Sequence, residues 1–320
     1  MLHRSVRVLG ALGLLAIGCA KADKQGDDSG QPVGAGVGAV TSPTTATKVG
    51  ETEGMKTPES VRYDPELDVF YVSNINGGPS AHDGNGFIVV VPADSTGAAT
   101  KVLVQGGRNG AKLDAPKGLA LVGDTLWVAD IDHVRAFNRR TGAPIADIDL
   151  STQKATFLND IAVDGSGTIY VTDTGIAIDN KGAMTHPGID RIFKITGRTV
   201  TAISADSLDW PNGIAWDSTS GHFIIAPSGG KALRWWKEGD RAATALVNGP
   251  GGYDGVEVLA DGRILVTSWA DSAVHIVQNG KLTTLVPNVS GPADIGVDTK
   301  RNIVAIPRFN DNKVDYYKIP

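Results

Sequence analysis

One cysteine in 320 residues excludes an intrachain disulfide framework and any thiolate zinc site. Aromatic residues are sparse, at 6%. Basic residues are in deficit: 30 Lys and Arg face 35 Asp and Glu, for a net charge of −5. Binding nucleic acid by counterion release needs a basic surface, so nucleic acid is not expected as a partner. Beyond the N-terminus no apolar run is long enough to span a bilayer, which takes about 20 residues. Glycine, by contrast, is abundant. It accounts for 40 of the 320 residues, or 12.5%, where about 7% is usual. With 41% hydrophobic residues to fill a core, that abundance points to many tight turns and therefore many short strands.

The lone Cys19 sits in a telling context. Arg4 and Arg7 precede the apolar run from Val8 to Ile17, which is too short for a transmembrane helix and reads as a secretory signal. The sequence Ala16-Ile17-Gly18-Cys19 resembles a bacterial lipobox. Residues 1–18 are therefore expected to be a lipoprotein signal peptide, with Cys19 lipidated. The expected location is the bacterial cell envelope, with membrane contact only through the lipid anchor. Residues 19–46, rich in Gly, Ser, Thr and Ala, read as a flexible tether.

One pattern recurs across residues 47–320. A turn leads to an apolar strand, then a second turn, then a more apolar strand that ends on polar residues. Copies begin at Thr57, Ala115, Phe157, Trp210, Gly252 and Gly291. Aligned, they place Glu59, Lys117, Asn159, Asn212, Asp254 and Ala293 in one column, at spacings of 58, 42, 53, 42 and 39 residues. A strand-built period near 40–50 residues is the signature of a β-propeller. Two further strand-like runs complete each copy, except that the sixth stops at its third. The run from Ala46 is the natural donor of the missing strand, since pairing the chain ends closes the ring and removes a bare sheet edge. The expected fold is all-β, a six-bladed propeller with four-stranded blades closed by the N-terminal strand.

In such a fold the column rings one mouth of the central channel. Four of its members carry hard oxygen donors: Glu59, Asn159, Asn212 and Asp254. That set suits Ca²⁺, with Mg²⁺ or Mn²⁺ possible and Zn²⁺ less favoured. A plainer reading is open for two of them, because Asn212-Gly213 and Asp254-Gly255 are ordinary turn dipeptides. Glu59 and Asn159 do not fit that explanation.

The set Glu59-Ser60, Asn159-Asp160, Asn212-Gly213 and Asp254-Gly255, on blades one, three, four and five, resembles the gluconolactonase/regucalcin/luciferin-regenerating-enzyme family. More distantly it is similar to paraoxonase-like lactonases. The resemblance spans the whole propeller. It implies one divalent metal in the channel, hydrolysis of a small-molecule lactone or ester, and Asp254 as both ligand and general base. Two positions depart from the family pattern. Phe157 stands where sugar-lactone hydrolases often carry Arg, and Lys117 occupies the ring on a blade where the family has no ligand. Lys117 could polarise a carbonyl, or simply neutralise the acidic ring. His133 is the nearest analogue of a paraoxonase-like histidine. Two long second-to-third-strand loops, 76–86 and 175–189, should overhang the site, bringing His82, Asp83, Asp179 and His186 to a substrate pocket.

Three functions compete. The first is a metal-dependent hydrolase. The second is a non-catalytic ligand- or protein-binding propeller with a structural metal. The third is a ring-opening lyase with His133 or His186 as base. A monomer is expected in each case.

Overall fold

The computed structural model describes residues 45–179 and 181–320. Signal peptide, Cys19 and almost all of the expected tether lie outside the described residues. Six four-stranded antiparallel sheets follow one another along the chain. Blade 1 runs from Pro58–Asp64 to Lys101–Gln105, and blade 2 from Pro116–Val122 to Pro144–Asp149. Blade 3 runs from Leu158–Val163 to Thr199–Ile203, blade 4 from Pro211–Asp217 to Thr244–Asn248, and blade 5 from Tyr253–Val258 to Lys281–Val286. Blade 6 takes Gly296–Asp298, Ile303–Arg308 and Lys313–Lys318 from the end of the chain, and Thr47–Thr52 from its start. The ring closes as the repeat count required. Thr47 pairs with Lys318 and Thr52 with Val314, and Lys48 and Lys313 reach Asp315 and Glu51 at 2.9 and 3.0 Å.

Burial explains the strand sequences. First and second strands lie inside the ring, and the second strand of blade 5, Ile264–Ser268, is buried at every residue. Fourth strands face outward and alternate, as in Pro144–Asp149 of blade 2. The core is a set of wedges between neighbouring blades. Phe70, Val314 and Tyr316 fill the joint of blades 6 and 1; Phe223 and Trp236 fill that of blades 3 and 4. Aspartates make the turns from first to second strand. Asp64, Asp164 and Asp298 each accept backbone N–H bonds from residues two to four further on. Among the described residues no helix is long and apolar enough to cross a membrane.

Candidate metal and substrate site

Five of the six column residues are the second residue of their first strand; Ala293 lies just ahead of blade 6's. In blades 1 to 5 the ladder between first and second strands breaks register across the column residue. A bulge re-aims one side chain out of the sheet, here into the channel. It also leaves the next residue's N–H without a ladder partner. A hydroxyl on the second strand supplies one: Ser60, Asp160 and Gly255 donate to Ser73, Thr172 and Thr267 Oγ at 2.8–3.0 Å. Two of those hydroxyls donate onward to the adjacent blade, Thr172 to Asn212 O at 2.6 Å and Thr267 to Ala293 O at 3.1 Å. The polar ends of the second strands therefore brace the ring.

The turn-dipeptide reading of Asn212-Gly213 and Asp254-Gly255 fails. Both pairs lie within strands. Their glycines are there for close packing: a Cβ on Gly213 would collide with Asp254 O, and one on Gly255 with the Asp294 backbone.

Glu59, Lys117, Asn159, Asn212 and Asp254 all line one cavity of about 320 Å³. Glu59 Oε2, Asn212 Oδ1 and Asp254 Oδ1 are buried there without a hydrogen-bond partner. Native proteins rarely leave such atoms unmet, and a bound ion is one of the few groups that can satisfy them. Asp254 Oδ2 accepts the Trp269 indole N–H at 2.8 Å, and Asn159 Nδ2 donates to Thr174 Oγ1 at 3.1 Å. Burial pushes the Asp254 carboxyl up to about 7; the Trp269 bond opposes this and the charge of Asp160 adds to it. Burial also lifts Glu59 well above the usual carboxylate range, helped by Asp254 and Asp294. A divalent cation is the counter-charge that would favour both carboxylates. Among the described residues no group of three or more His, Cys, Asp or Glu is arranged to hold a metal. The ring has only two carboxylates, so a cation there would depend equally on the two asparagine carbonyls.

Lys117 is buried in the floor. Its Nζ donates to Ala115 O at 3.1 Å and lies 4.2 Å from the centre of the Phe157 ring. Burial lowers its pKa, and the charges of Glu59, Asp130 and Asp132 oppose that.

The histidines expected in the pocket are not among its lining residues. His133 Nδ1 bonds Asp147 Oδ1 at 2.7 Å, so its ring is committed to an acidic cluster on blade 2. His82 lies 3.7 and 3.9 Å from Asp114 and Asp132. His186 bonds Asp190 at 2.7 Å and stacks on Trp210, one layer behind the wall. Asp83 and Asp179 accept backbone N–H bonds within their own loops. The two long loops do reach the site, but with apolar groups. The first supplies Pro79; the second supplies Ile176, Ile178 and Met184, partly through a short hairpin pairing Ile178 with Met184.

A second repeat column frames the cavity. The residue just after each second strand is Ile75, Ile131, Thr174, Ser228, Trp269 or Phe309, and all but Ile131 line the cavity. The signal was available: these positions keep the same phase in every copy. A wider depression of about 650 Å³ opens near the far ends of the first strands, above the Arg62–Glu257 ion pair at 2.6 Å; none of the column residues lines it.

The model of the SMP-30/Gluconolactonase/LRE-like region matches residues 57–301. No match was found among curated proteins. Among solved structures, a candidate gluconolactonase from a structural genomics consortium superposes with a TM-score of 0.63 at 15% identity, covering 86% of this chain and 91% of its own. A gluconolactonase from Xanthomonas campestris gives 0.61 at 15% identity, with 84% and 88% covered. A chain of a nidogen–laminin complex gives 0.57 at 17% identity, with 72% and 81% covered. At these identities the likeness to the solved structures is one of fold.

Proposed function

The chain belongs to the SMP-30/gluconolactonase/LRE-like family, and from that premise we propose that it is a divalent-metal-dependent hydrolase of lactones or related esters. The observation that carries this reading is the trio of buried, unpartnered oxygens on Glu59, Asn212 and Asp254 in one cavity. With Asn159 they would hold the cation, Ca²⁺ by preference, with Mg²⁺, Mn²⁺ or Zn²⁺ as alternatives. Such a cation supplies a Lewis acid for the ester carbonyl and for the oxyanion derived from it.

The chain's own groups do the rest. Trp269 holds the Asp254 carboxylate in one orientation through Oδ2, and that carboxylate would take a proton from water. The water oxygen bonds to the carbonyl carbon, the ring C–O bond breaks, and the departing alkoxide takes up a proton to give a hydroxy acid. Lys117 offsets part of the ring's negative charge. A lyase with His133 or His186 as base loses support, since neither histidine lines the cavity. The same lack of a histidine favours, as a second reading, a non-catalytic binding propeller with a structural metal.

Calcium titration paired with a lactone-hydrolysis assay tests the proposal. Asp254→Asn should keep part of the calcium binding and lower turnover by about 100-fold or more, while Glu59→Gln should mainly weaken calcium. Full activity in both variants leaves only the binding reading. A place in the bacterial cell envelope, with a lipid on Cys19, is proposed alongside. If Cys19→Ser left membrane association unchanged, that idea would fail.

A further inference from the structure

We propose that the substrate of this site is hydrophobic: a lactone or ester bearing an alkyl or aryl substituent, not a polyhydroxylated one. The inference rests on the hydrolase reading and deepens it. The polar atoms left without a partner, on Glu59, Asn212 and Asp254, lie at the cavity floor. The cavity walls carry the rings of Phe157, Trp210, Tyr253, Trp269 and Phe309, and the aliphatic groups of Ile75, Pro79, Ile176, Ile178 and Met184.

The hydroxyls on the walls are already engaged. Thr174 Oγ1 donates to Pro211 O at 2.9 Å and accepts from Asn159. Ser228 Oγ donates to Trp210 O at 3.2 Å. Tyr253 OH donates to Lys231 O at 3.3 Å. The Trp269 N–H is held by Asp254, and Lys117 by Ala115 and the Phe157 ring. A sugar hydroxyl entering here would give up water for a wall that offers it little in return, and an unpaired buried polar group is strongly disfavoured. An alkyl or aryl group meets aliphatic and aromatic carbon instead. Met184 and Trp269 are among the few large hydrophobic side chains left exposed among the described residues. Both border this cavity, so the apolar lining continues out to its rim.

The test is a substrate series with the calcium-loaded full-length protein. The specificity constant, kcat/KM, is measured for γ-butyrolactone, γ-hexalactone, γ-octalactone and gluconolactone. It should rise about fourfold per methylene until the cavity is filled, with gluconolactone slowest. Ile178→Asp and Met184→Ser should flatten the chain-length slope. A parallel titration uses 2-alkylcyclopentanones, which cannot be hydrolysed, followed by tryptophan fluorescence. Tighter binding with chain length supports the apolar class even if no lactone is turned over, in which case the hydrolase reading fails alone. Faster turnover of gluconolactone than of γ-butyrolactone, or ketone binding that ignores chain length, overturns the inference and leaves the hydrolase reading intact.

Discussion

Thr172→Val tests whether the second-strand hydroxyls hold the ring of site residues in place. Thr172 is fully buried. Its Oγ1 accepts the Asp160 N–H at 3.0 Å and donates to Asn212 O at 2.6 Å. Valine has the same shape, so the change removes two hydrogen bonds and opens almost no cavity. Each buried group left unsatisfied costs about 1–3 kcal/mol. Two of them, less roughly 0.8 kcal/mol for the added methyl burial, give a net loss of about 1–5 kcal/mol. For a domain of this size that is a fall in melting temperature of about 2–10 °C. The control is Thr201→Val, exposed on the outer strand of the same blade, expected within about 0.5 kcal/mol of wild type. Thermal melts and urea midpoints on both variants decide the matter. Because Asn212 loses the bond that holds its backbone, calcium affinity should fall in the first variant as well. If Thr172→Val melted within a degree of Thr201→Val, the bracing argument would be wrong.

Deleting residues 46–53 should cause a large loss of stability and promote aggregation, since it strips the strand paired with Lys313–Lys318 and bares an edge; an unchanged melting temperature and a monodisperse product would contradict the closure. Trp269→Phe keeps the ring and removes the donor to Asp254 Oδ2, so turnover should fall by about tenfold, the loss usual for an outer partner of a ligating carboxylate, with calcium binding still measurable; unaltered turnover would deny the indole any positioning role. Lys48 and Lys313 hold Glu51 below its ordinary value, at about 2. Its folded pKa is depressed, so its contribution to stability is present above pH ~4.5 and fades as pH falls towards 2. Melting between pH 6 and pH 2.5 should therefore drop less in Glu51→Gln than in wild type, and the difference should shrink in high salt; identical drops would remove Glu51 from the closure.

The fold was legible because a propeller writes its period into the chain. Each blade must bury two inner strands between its neighbours, so apolar runs and turns recur at a nearly fixed spacing, and the sixth copy's missing outer strand pointed to Thr47–Thr52 as the closing one. The column of Glu59, Lys117, Asn159, Asn212 and Asp254 was legible for the same reason: residues in one phase of a closed repeat face one axis. Local sequence could not say whether Asn212-Gly213 and Asp254-Gly255 were turns. That depended on how closely neighbouring first strands approach, and the glycines stand where a Cβ would strike the next blade. The surroundings of the histidines were not legible, because loop position alone does not fix where a side chain bonds. His133 is drawn to Asp147 across its own sheet and His186 to Asp190, both away from the cavity. Trp269, Phe309 and the Ile178–Met184 pair were invisible as a wall, since they come from blades 3, 5 and 6 and meet only around the axis. The sequence by itself determined the six-fold ring and the residues that face its axis, because both follow from periodicity. Only the tertiary structure decided which polar groups are already bonded and which are left free over the cavity floor, because that depends on distances between blades that no single repeat contains.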